Sequence, residues 1–148
     1  MPPTFVFIRH SHRDGEGLSS HGRASVQYTA QWLKEHGFLA DLVFATNTPR
    51  TRETAMLLLR PTGRTLVQTI VTNGMFGSLA GLQAHTREAA ARQPSGVVYF
   101  VGHHPSQLFL EHLFGAELAI ADQNRCAAVV FERDGEGWRL VDWFAGVA

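Results

Sequence analysis

The sequence predicts a three-layer α/β fold, in which a mostly parallel central sheet carries helices on both faces. Two observations predict it. Several short runs of aromatic and β-branched residues lack polar alternation, which is typical of strands buried on both faces. These runs alternate with segments in which apolar residues recur at helical spacing, as in strand–helix units of a parallel sheet. No repeat or linker divides the 148 residues, so a single domain over residues 1–148 is expected.

The first half of the chain contains three predicted strands and two predicted helices. Ser19 or Ser20 supplies an N-cap for the first helix, and Gly37 supplies its C-terminal stop. Pro49 stands where the first turn of the second helix tolerates proline, and a polar loop is expected over residues 11–19. The predicted elements are a strand over 4–8, a helix from 19 or 20 to about 36, a strand over 41–45, a helix over 50–59 and a strand over 66–71.

The second half contains the clearest buried strand of the chain, residues 96–101, with the sequence Gly-Val-Val-Tyr-Phe-Val. The last two strands are joined at Asp134-Gly135, a dipeptide typical of tight hairpins. The remaining predicted elements are helices over 82–92 and about 106–114 and strands over 126–132 and 138–144.

Charge and composition exclude several classes of protein. Lys plus Arg and Asp plus Glu both number 13, and this neutral balance argues against a nucleic-acid or anionic-membrane partner, which would need a positive field. Cys126 is the only cysteine, so the chain can form neither an internal disulfide nor a thiolate metal cage. No apolar run approaches the roughly 18 residues of a membrane span, and no leader pattern opens the chain. A cytoplasmic location is therefore expected, while the sequence does not indicate an oligomeric state.

Polar residues follow three of the predicted strands where each of them ends. Arg9 and His10 follow the first strand, Arg50 lies just after the second, and His103 and His104 follow the strongest one. If these strands are parallel neighbours, the side chains meet at one edge of the sheet, where open α/β sheets bind ligands. Two guanidiniums in one pocket repel each other unless an anion joins them, and their forks match phosphate oxygens. A phosphate ester or a phosphoramidate is the predicted ligand.

These residue types suit phosphoryl transfer without a metal or a cofactor. An imidazole can attack phosphorus when its other nitrogen is held by a hydrogen-bond acceptor and the phosphoryl charge is neutralised. His10 is the predicted nucleophile, and a protonated His103 is the predicted electrostatic partner. Arg9 and Arg50 are the predicted phosphate clamps. The expected substrate is a phosphorylated protein or a small phosphorylated molecule.

The same residues resemble the motifs of the histidine phosphatase superfamily, the phosphoglycerate mutase-like proteins. Phe7-Ile8-Arg9-His10 is similar to the Arg-His-Gly signature, and Val101-Gly102-His103-His104-Pro105 is similar to Gly-His-Asn-Pro, which implies that His103 is the second catalytic histidine. Leu18-Ser19-Ser20-His21-Gly22 is similar to Leu-Thr-x-x-Gly. Residues 46–55, Thr-Asn-Thr-Pro-Arg-Thr-Arg-Glu-Thr-Ala, are similar to Ser-Pro-x-x-Arg-Ala-x-x-Thr-Ala, whose phosphate-binding arginine falls on Arg50.

The resemblance implies a phosphoglycerate mutase-like fold and a metal-independent phosphatase that forms a phosphohistidine intermediate. The short chain, the absence of an insertion between the second and fourth strands and the Gly-x-x-Trp-Arg-Leu segment resemble the small SixA-type phosphohistidine phosphatases most.

Two positions depart from the family pattern. Ser11 replaces the glycine after the catalytic histidine, and we expect its hydroxyl to donate to the phosphate. Asn47 replaces a proline in the loop after the second strand. The further candidates for substrate contact are His12, Arg13 and His104.

No carboxylate matches the general acid of larger family members, and Asp14 and Glu16 are the only candidates near His10 in sequence. A positioned acid contributes roughly 10²–10⁴-fold when an alkoxide leaves. Imidazole, whose conjugate acid has a pKa of about 6.5, leaves without that help. A site of this composition is expected to favour phosphohistidine over sugar phosphates.

Three alternatives remain from the residues. The pairs His10–His12 and His103–His104 could supply nitrogen ligands to a metal, although two arginines beside a cation oppose it. A non-catalytic phosphate-recognition module would keep the pocket but have lost turnover through Ser11. The third is a small-molecule phosphomonoesterase. A mutase is disfavoured because no insertion of the size of a lid is present.

Overall fold

A six-stranded sheet forms the middle layer of the structure, a computed structural model that describes residues 3–64, 66–73, 75–103, 107–114, 124–135 and 137–147. Side chains at 107–109 and 134 are also left out of the description. The strands are β1 (Pro3–Arg9), β2 (Arg13–Asp14), β3 (Gly17–Leu18), β4 (Leu42–Thr46), β5 (Thr69–Thr72), β6 (Gly96–Gly102), β7 (Ala128–Asp134) and β8 (Gly137–Phe144). The helices are α1 (Ser20–Glu35), α2 (Pro49–Leu59), α3 (Leu79–Arg92) and α4 (Gln107–Phe114), with a 3₁₀ turn at Arg60–Thr62.

The order of strands in the main sheet is β5-β4-β6-β1-β7-β8. The first four strands in this order are parallel to one another, whereas β7 is antiparallel to both β1 and β8. β6 lies between β1 and β4, with Arg9 paired to Gly102 and Ala45 paired to Val101. The carboxyl ends of β1, β4 and β6 therefore meet at one edge of the sheet, as the sequence predicts.

Each face of the sheet is covered by its own apolar core. On one face, residues of α1 and α2 such as Val26, Leu33 and Leu58 pack against the strands. On the other face, residues of α3 and α4 such as Leu82 and Leu110 do so. This arrangement confirms the predicted three-layer α/β fold with helices on both faces.

Most of the observed elements begin or end within one or two residues of the predicted bounds, as does β7 at Ala128–Asp134, and three differences are larger. β5 begins at Thr69, because Leu66 is 99% exposed and pairs with no strand. α3 begins at Leu79, because Ser78 caps it through a 3.0 Å bond from the Gly81 amide to the Ser78 hydroxyl. The predicted polar loop after His10 contains the short hairpin β2–β3.

In the part of the chain that the structure describes, none of the helices combines the length and the apolar character that crossing a membrane requires.

Candidate active site

His10 lies directly after β1, where the buried strand ends and the polar edge of the sheet begins. Its backbone amide donates to the carbonyl of Gly102 on β6 at 2.8 Å. On the other side, the amide of Arg9 donates to the carbonyl of Ala127 at 3.1 Å. These bonds extend the sheet by one residue and fix the backbone of His10 between its two neighbouring strands. The side chain of His10 is buried, with 4% of its surface exposed.

The imidazole of His10 is held in one tautomer. Nδ1 lies 2.9 Å from the carbonyl oxygen of Ser11, which can only accept, so Nδ1 carries the proton and donates it. Burial lowers the pKa of His10 to about 4, against the opposing effect of the Ser11 carbonyl, and the charges of His103, Arg50 and Arg125 lower it further. At neutral pH His10 is therefore uncharged, and Nε2 carries its lone pair.

His103 lies at the end of β6 and faces His10. The two ring centroids are 5.0 Å apart, with the planes 82° to each other. Arg50 donates from Nη2 toward Nε2 of His103 at 3.4 Å. Burial, followed by the charges of Arg50 and Arg9, lowers the pKa of His103. The protonated form predicted for His103 is thus disfavoured while the pocket holds only these cations.

Arg50 comes from the first turn of α2, which Thr48 caps by accepting from the Thr51 amide at 3.3 Å. A helix N-terminus carries unsatisfied amides and a partial positive charge. The Nε of Arg50 is buried and has no hydrogen-bond partner among the described residues. The arginine is therefore placed as a donor toward the space beside His103.

Ser11 does not meet the sequence prediction. Its side chain is completely buried, and its hydroxyl donates to the carbonyl of Gly22 on α1 at 2.7 Å. Its amide donates to the hydroxyl of Thr54 at 3.1 Å. Because its only hydroxyl proton is engaged inside the protein, the predicted bond from Ser11 to the phosphate is wrong for this geometry. Ser11 instead anchors the chain after His10 to α1 and α2.

Glu53 secures the rest of this loop. One of its carboxylate oxygens accepts from the Leu18 amide at 2.9 Å, and the other accepts from Nε of Arg23 at 2.8 Å. Burial acts to raise the pKa of Glu53, but these two bonds outweigh it, and the pKa is lowered. Glu53 thereby links α2, α1 and the β2–β3 hairpin.

The other predicted contacts have mixed outcomes. The His12 ring lies 4.4 Å from that of His21 between centroids, with the planes at 45°, and its Nε2 is 3.5 Å from the Val147 carbonyl. Within the described ranges, no hydrogen bond or ring contact joins the His12 ring to a residue of the pocket. Arg13 is exposed, but its charge lowers the pKa of His103. His104 lies outside the described residues.

Asp14 and Glu16, the candidates for a general acid, are exposed on the β2–β3 hairpin and its turn. In the ranges the structure covers, no bond joins either carboxylate to a residue of the pocket. The structure thus assigns neither of them to the pocket.

A pocket of about 370 Å³ opens beside His103. The described residues that line it provide amide, hydroxyl, apolar and backbone groups, and none of these residues is a carboxylate, an arginine or a lysine. The lining residues are Thr46, Asn47, Thr48, Thr72, Asn73, Met75, Phe76, Gly77 and His103. A larger pocket of about 450 Å³ lies between α2 and β5, and none of the predicted site residues lines it.

Sequence reasoning missed three residues that shape the site. Gly22 and Thr54 bind Ser11, and Arg125 lies on the turn before β7, where its charge acts on both histidines. Gly22 and Thr54 fall inside the segments that resemble the family motifs, so a signal for them existed. No pattern in the sequence points to Arg125.

Among the residues within the described ranges, no three His, Cys, Asp or Glu side chains are grouped so that they could hold a metal ion.

Comparison with known proteins places this fold. No protein-family model matches the sequence, and no curated protein sequence matches it. Solved structures match over nearly the whole chain. A protein described as the phosphohistidine phosphatase SixA from Agrobacterium tumefaciens superposes with a TM-score of 0.75 at 21% identity, covering 98% of this chain and 99% of that one.

Two further structures contain bound oxyanions. A mycobacterial glucosyl-3-phosphoglycerate phosphatase in complex with VO3 matches with a TM-score of 0.74 at 16% identity, covering 96% and 99% of the two chains. The protein histidine phosphatase SixA in complex with tungstate matches with a TM-score of 0.71 at 14% identity, covering 96% of each chain. The resemblance predicted from the sequence is confirmed at the level of the fold: this chain has the phosphoglycerate mutase-like fold.

Proposed function

We propose that this protein is a metal-independent phosphatase that transfers a phosphoryl group to His10 and then to water. The observation that supports it most is the state of His10. The buried neutral imidazole of His10 has Nδ1 bound to the Ser11 carbonyl, which leaves Nε2 unprotonated, and the ring lies beside that of His103, to which Arg50 is bonded. A nucleophile needs this lone pair, and the bond at Nδ1 keeps the ring oriented.

The charges around His10 suit a phosphoryl group. Besides burial, the charges of His103 and Arg50 act on His10 and that of Arg9 acts on His103, and none of the ion pairs recorded for the described residues involves these groups. A bound phosphate dianion supplies the missing negative charge and raises the pKa of His103, which allows that ring to take up a proton. His103 then stabilises the oxygens as charge moves during transfer.

The reaction has two displacements. Nε2 of His10 attacks phosphorus, the N–P bond forms, and the bond from phosphorus to the leaving atom breaks. Water next attacks phosphorus, and both of its protons leave with the product as dihydrogen phosphate, so that His103 keeps its proton. The N–P bond breaks, phosphate departs, and His10 returns to its neutral form.

The uncharged pocket beside His103 is the proposed place for the leaving group. It offers Asn47 and Asn73 as hydrogen-bonding amides and Phe76 as an apolar wall, and none of its described lining residues is a carboxylic acid. A leaving imidazole does not depend on such an acid, whereas a sugar alkoxide does. Phosphohistidine, on a protein or a peptide, is therefore the preferred substrate in this proposal. A cytoplasmic location stays a prediction of the sequence.

Hydrolysis of a generic aryl phosphate in the presence of a chelator tests the reaction. The wild type is expected to turn over unchanged, and His10→Asn to lose more than about 10³-fold, as expected when a nucleophile is removed. His36→Asn, at an exposed histidine after α1, is the matched control. Loss of wild-type activity on chelation would favour metal catalysis. A folded wild type that binds phosphate without turnover would identify a recognition module.

The substrate class is tested by comparing a phosphohistidine peptide with a sugar phosphate. We expect kcat/KM to be higher for the peptide by about 10²-fold, the contribution of the general acid that a sugar alkoxide lacks here. Faster hydrolysis of the sugar phosphate would contradict the assignment and favour a small-molecule phosphomonoesterase.

A further inference from the structure

Arg125 lies on a turn that is bonded to the nucleophile's own backbone. The amide of the next residue, Cys126, donates to the His10 carbonyl at 3.3 Å. One position further on, Ala127 accepts from the Arg9 amide at 3.1 Å. The turn thus extends the pairing of β7 with β1 beyond the end of β1. The position of the turn is therefore linked to that of His10.

The backbone of this turn is fixed by the last residues described. Asn124 donates from its amide to the Ala145 carbonyl at 2.7 Å and from its side chain to the Gly146 carbonyl at 3.3 Å. Cys126 has a φ of 60°, a conformation that tertiary contacts must impose on a non-glycine residue. A Cβ at Gly146 would lie 2.6 Å from the Arg125 carbonyl oxygen. This close packing fixes the backbone position from which the Arg125 side chain extends.

The charge of Arg125 acts on three groups of the pocket. Alongside burial, it lowers the pKa of Arg9, His10 and His103. Among the residues that the structure describes, the recorded ion pairs involve Arg23, Arg64, Arg92 and Arg139, and none involves Arg125. Arg9 and Arg125 are therefore interacting like charges that no ion pair among the described residues neutralises. Such a pair is unfavourable until an anion joins it.

We infer that Arg125 is a third phosphate-binding arginine, whose guanidinium donates to an oxygen of the phosphoryl group held between Arg9, His10 and His103. This role rests on the proposed function, since the anion is the transferred group. Arg125 would thus join Arg9 and Arg50, the two arginines predicted to bind phosphate, from the turn before β7. The three guanidiniums then approach the phosphoryl group from β1, α2 and the turn before β7.

The inference is tested by the binding of inorganic phosphate to the full chain, measured by calorimetry in low salt. Arg125→Gln is expected to weaken binding by about tenfold or more, the loss typical of one charged hydrogen bond. Arg125→Lys keeps the charge and should recover part of the affinity. Arg52→Gln, at an exposed arginine of α2, is the matched control and should change binding by less than about twofold. Thermal unfolding of each variant checks that it is folded.

A second readout separates a phosphate contact from a merely structural role. Arg125→Gln should raise the pKa of His10, followed by NMR, because a positive charge near the ring is removed. Arg125→Lys should leave that pKa close to the wild-type value. A folded Arg125→Gln that binds phosphate as the wild type does, or that leaves the His10 pKa unchanged, would overturn the inference.

The outcomes distinguish this inference from the proposed function. If the wild type binds phosphate but hydrolyses no phosphoryl substrate, the proposed catalytic function is refuted. Weaker phosphate binding by Arg125→Gln would still support the contact between Arg125 and phosphate. If Arg125→Gln binds phosphate as the wild type does while His10→Asn abolishes turnover, the contact between Arg125 and phosphate is refuted and the proposed catalytic function stands. If the wild type does not bind phosphate at all, both are refuted.

Discussion

The properties of the His10 imidazole arise from two opposing effects on its pKa. Burial after β1 disfavours its charged form, whereas the Ser11 carbonyl favours it by accepting from Nδ1. Burial is the larger effect, and nearby positive charges add to it. A ring that is neutral over the whole physiological range needs no separate base before it attacks phosphorus.

In the free protein, NMR titration of His10 is therefore expected to give a pKa of about 4. Saturating inorganic phosphate should raise this value, because a nearby dianion stabilises the imidazolium. A His10 pKa near the ordinary 6.5 in the free protein would contradict the described environment.

The sequence identifies the site residues that follow strand ends and misses those held by tertiary contacts. Arg9, His10 and His103 could be placed because each directly follows an apolar strand. The internal bonding of Ser11 could not, since a hydroxyl near a phosphate pocket and one turned toward a helix look the same in sequence. Arg125 belongs to no motif and becomes visible only when β7 is placed beside β1.

At the scale of elements, α1 and the loop after His10 are packed without space between them. Gly22 in the first turn of α1 faces His12: a Cβ there would lie 2.9 Å from the His12 carbonyl carbon and would overlap its oxygen. The same glycine's carbonyl accepts the Ser11 hydroxyl. This close approach is the physical reason for a glycine at a helix start, where alanine would otherwise be preferred.

Gly22→Ala should accordingly destabilise the fold and displace the loop that carries the nucleophile. We expect a loss of about 1–3 kcal/mol in the free energy of unfolding, as for overpacked sites, together with lower kcat. Gly17→Ala is the control, because its Cβ would lie 3.5 Å from the nearest atom, a Glu53 oxygen. Denaturant unfolding and aryl phosphate kinetics provide the readouts, and equal stability of the two variants would contradict the packing argument.

The order and type of the main elements were predictable, and some boundaries were not. The buried strands β1, β4 and β6 follow from unalternated apolar runs. β5 is a short edge strand, so apolar residues that precede it, such as Leu66, do not indicate where its pairing with β4 begins. The hairpin β2–β3 lies in a polar segment, and its pairing depends on Glu53, which is distant in sequence.

For the molecule as a whole, the buried histidines make folding depend on pH. In the unfolded chain a histidine binds a proton below about pH 6.5, whereas folded His10 binds one only near pH 4. Its contribution to stability is therefore fully present above pH 6.5 and is lost as the pH falls toward 4. The lowered pKa of His103 acts in the same direction.

We expect His10 to account for up to about 3 kcal/mol of stability lost between pH 6.5 and 4. His10→Asn retains a side-chain donor near the Ser11 carbonyl but does not titrate, so its unfolding free energy should fall less over this interval. Denaturant titrations of both proteins at several pH values measure the difference. Parallel pH profiles for the two proteins would show that His10 is not held neutral by the fold.

The proposed mechanism requires that Nε2 of His10 attacks phosphorus. Trapping the phosphorylated enzyme tests this step most directly. The wild type is mixed with a phosphoryl substrate, quenched in alkali, which preserves phosphohistidine, and digested for mass spectrometry. Phosphate should be found on His10 within one turnover, and it should be absent from His10→Asn. Phosphate on a different residue, or full turnover by His10→Asn, would contradict the mechanism.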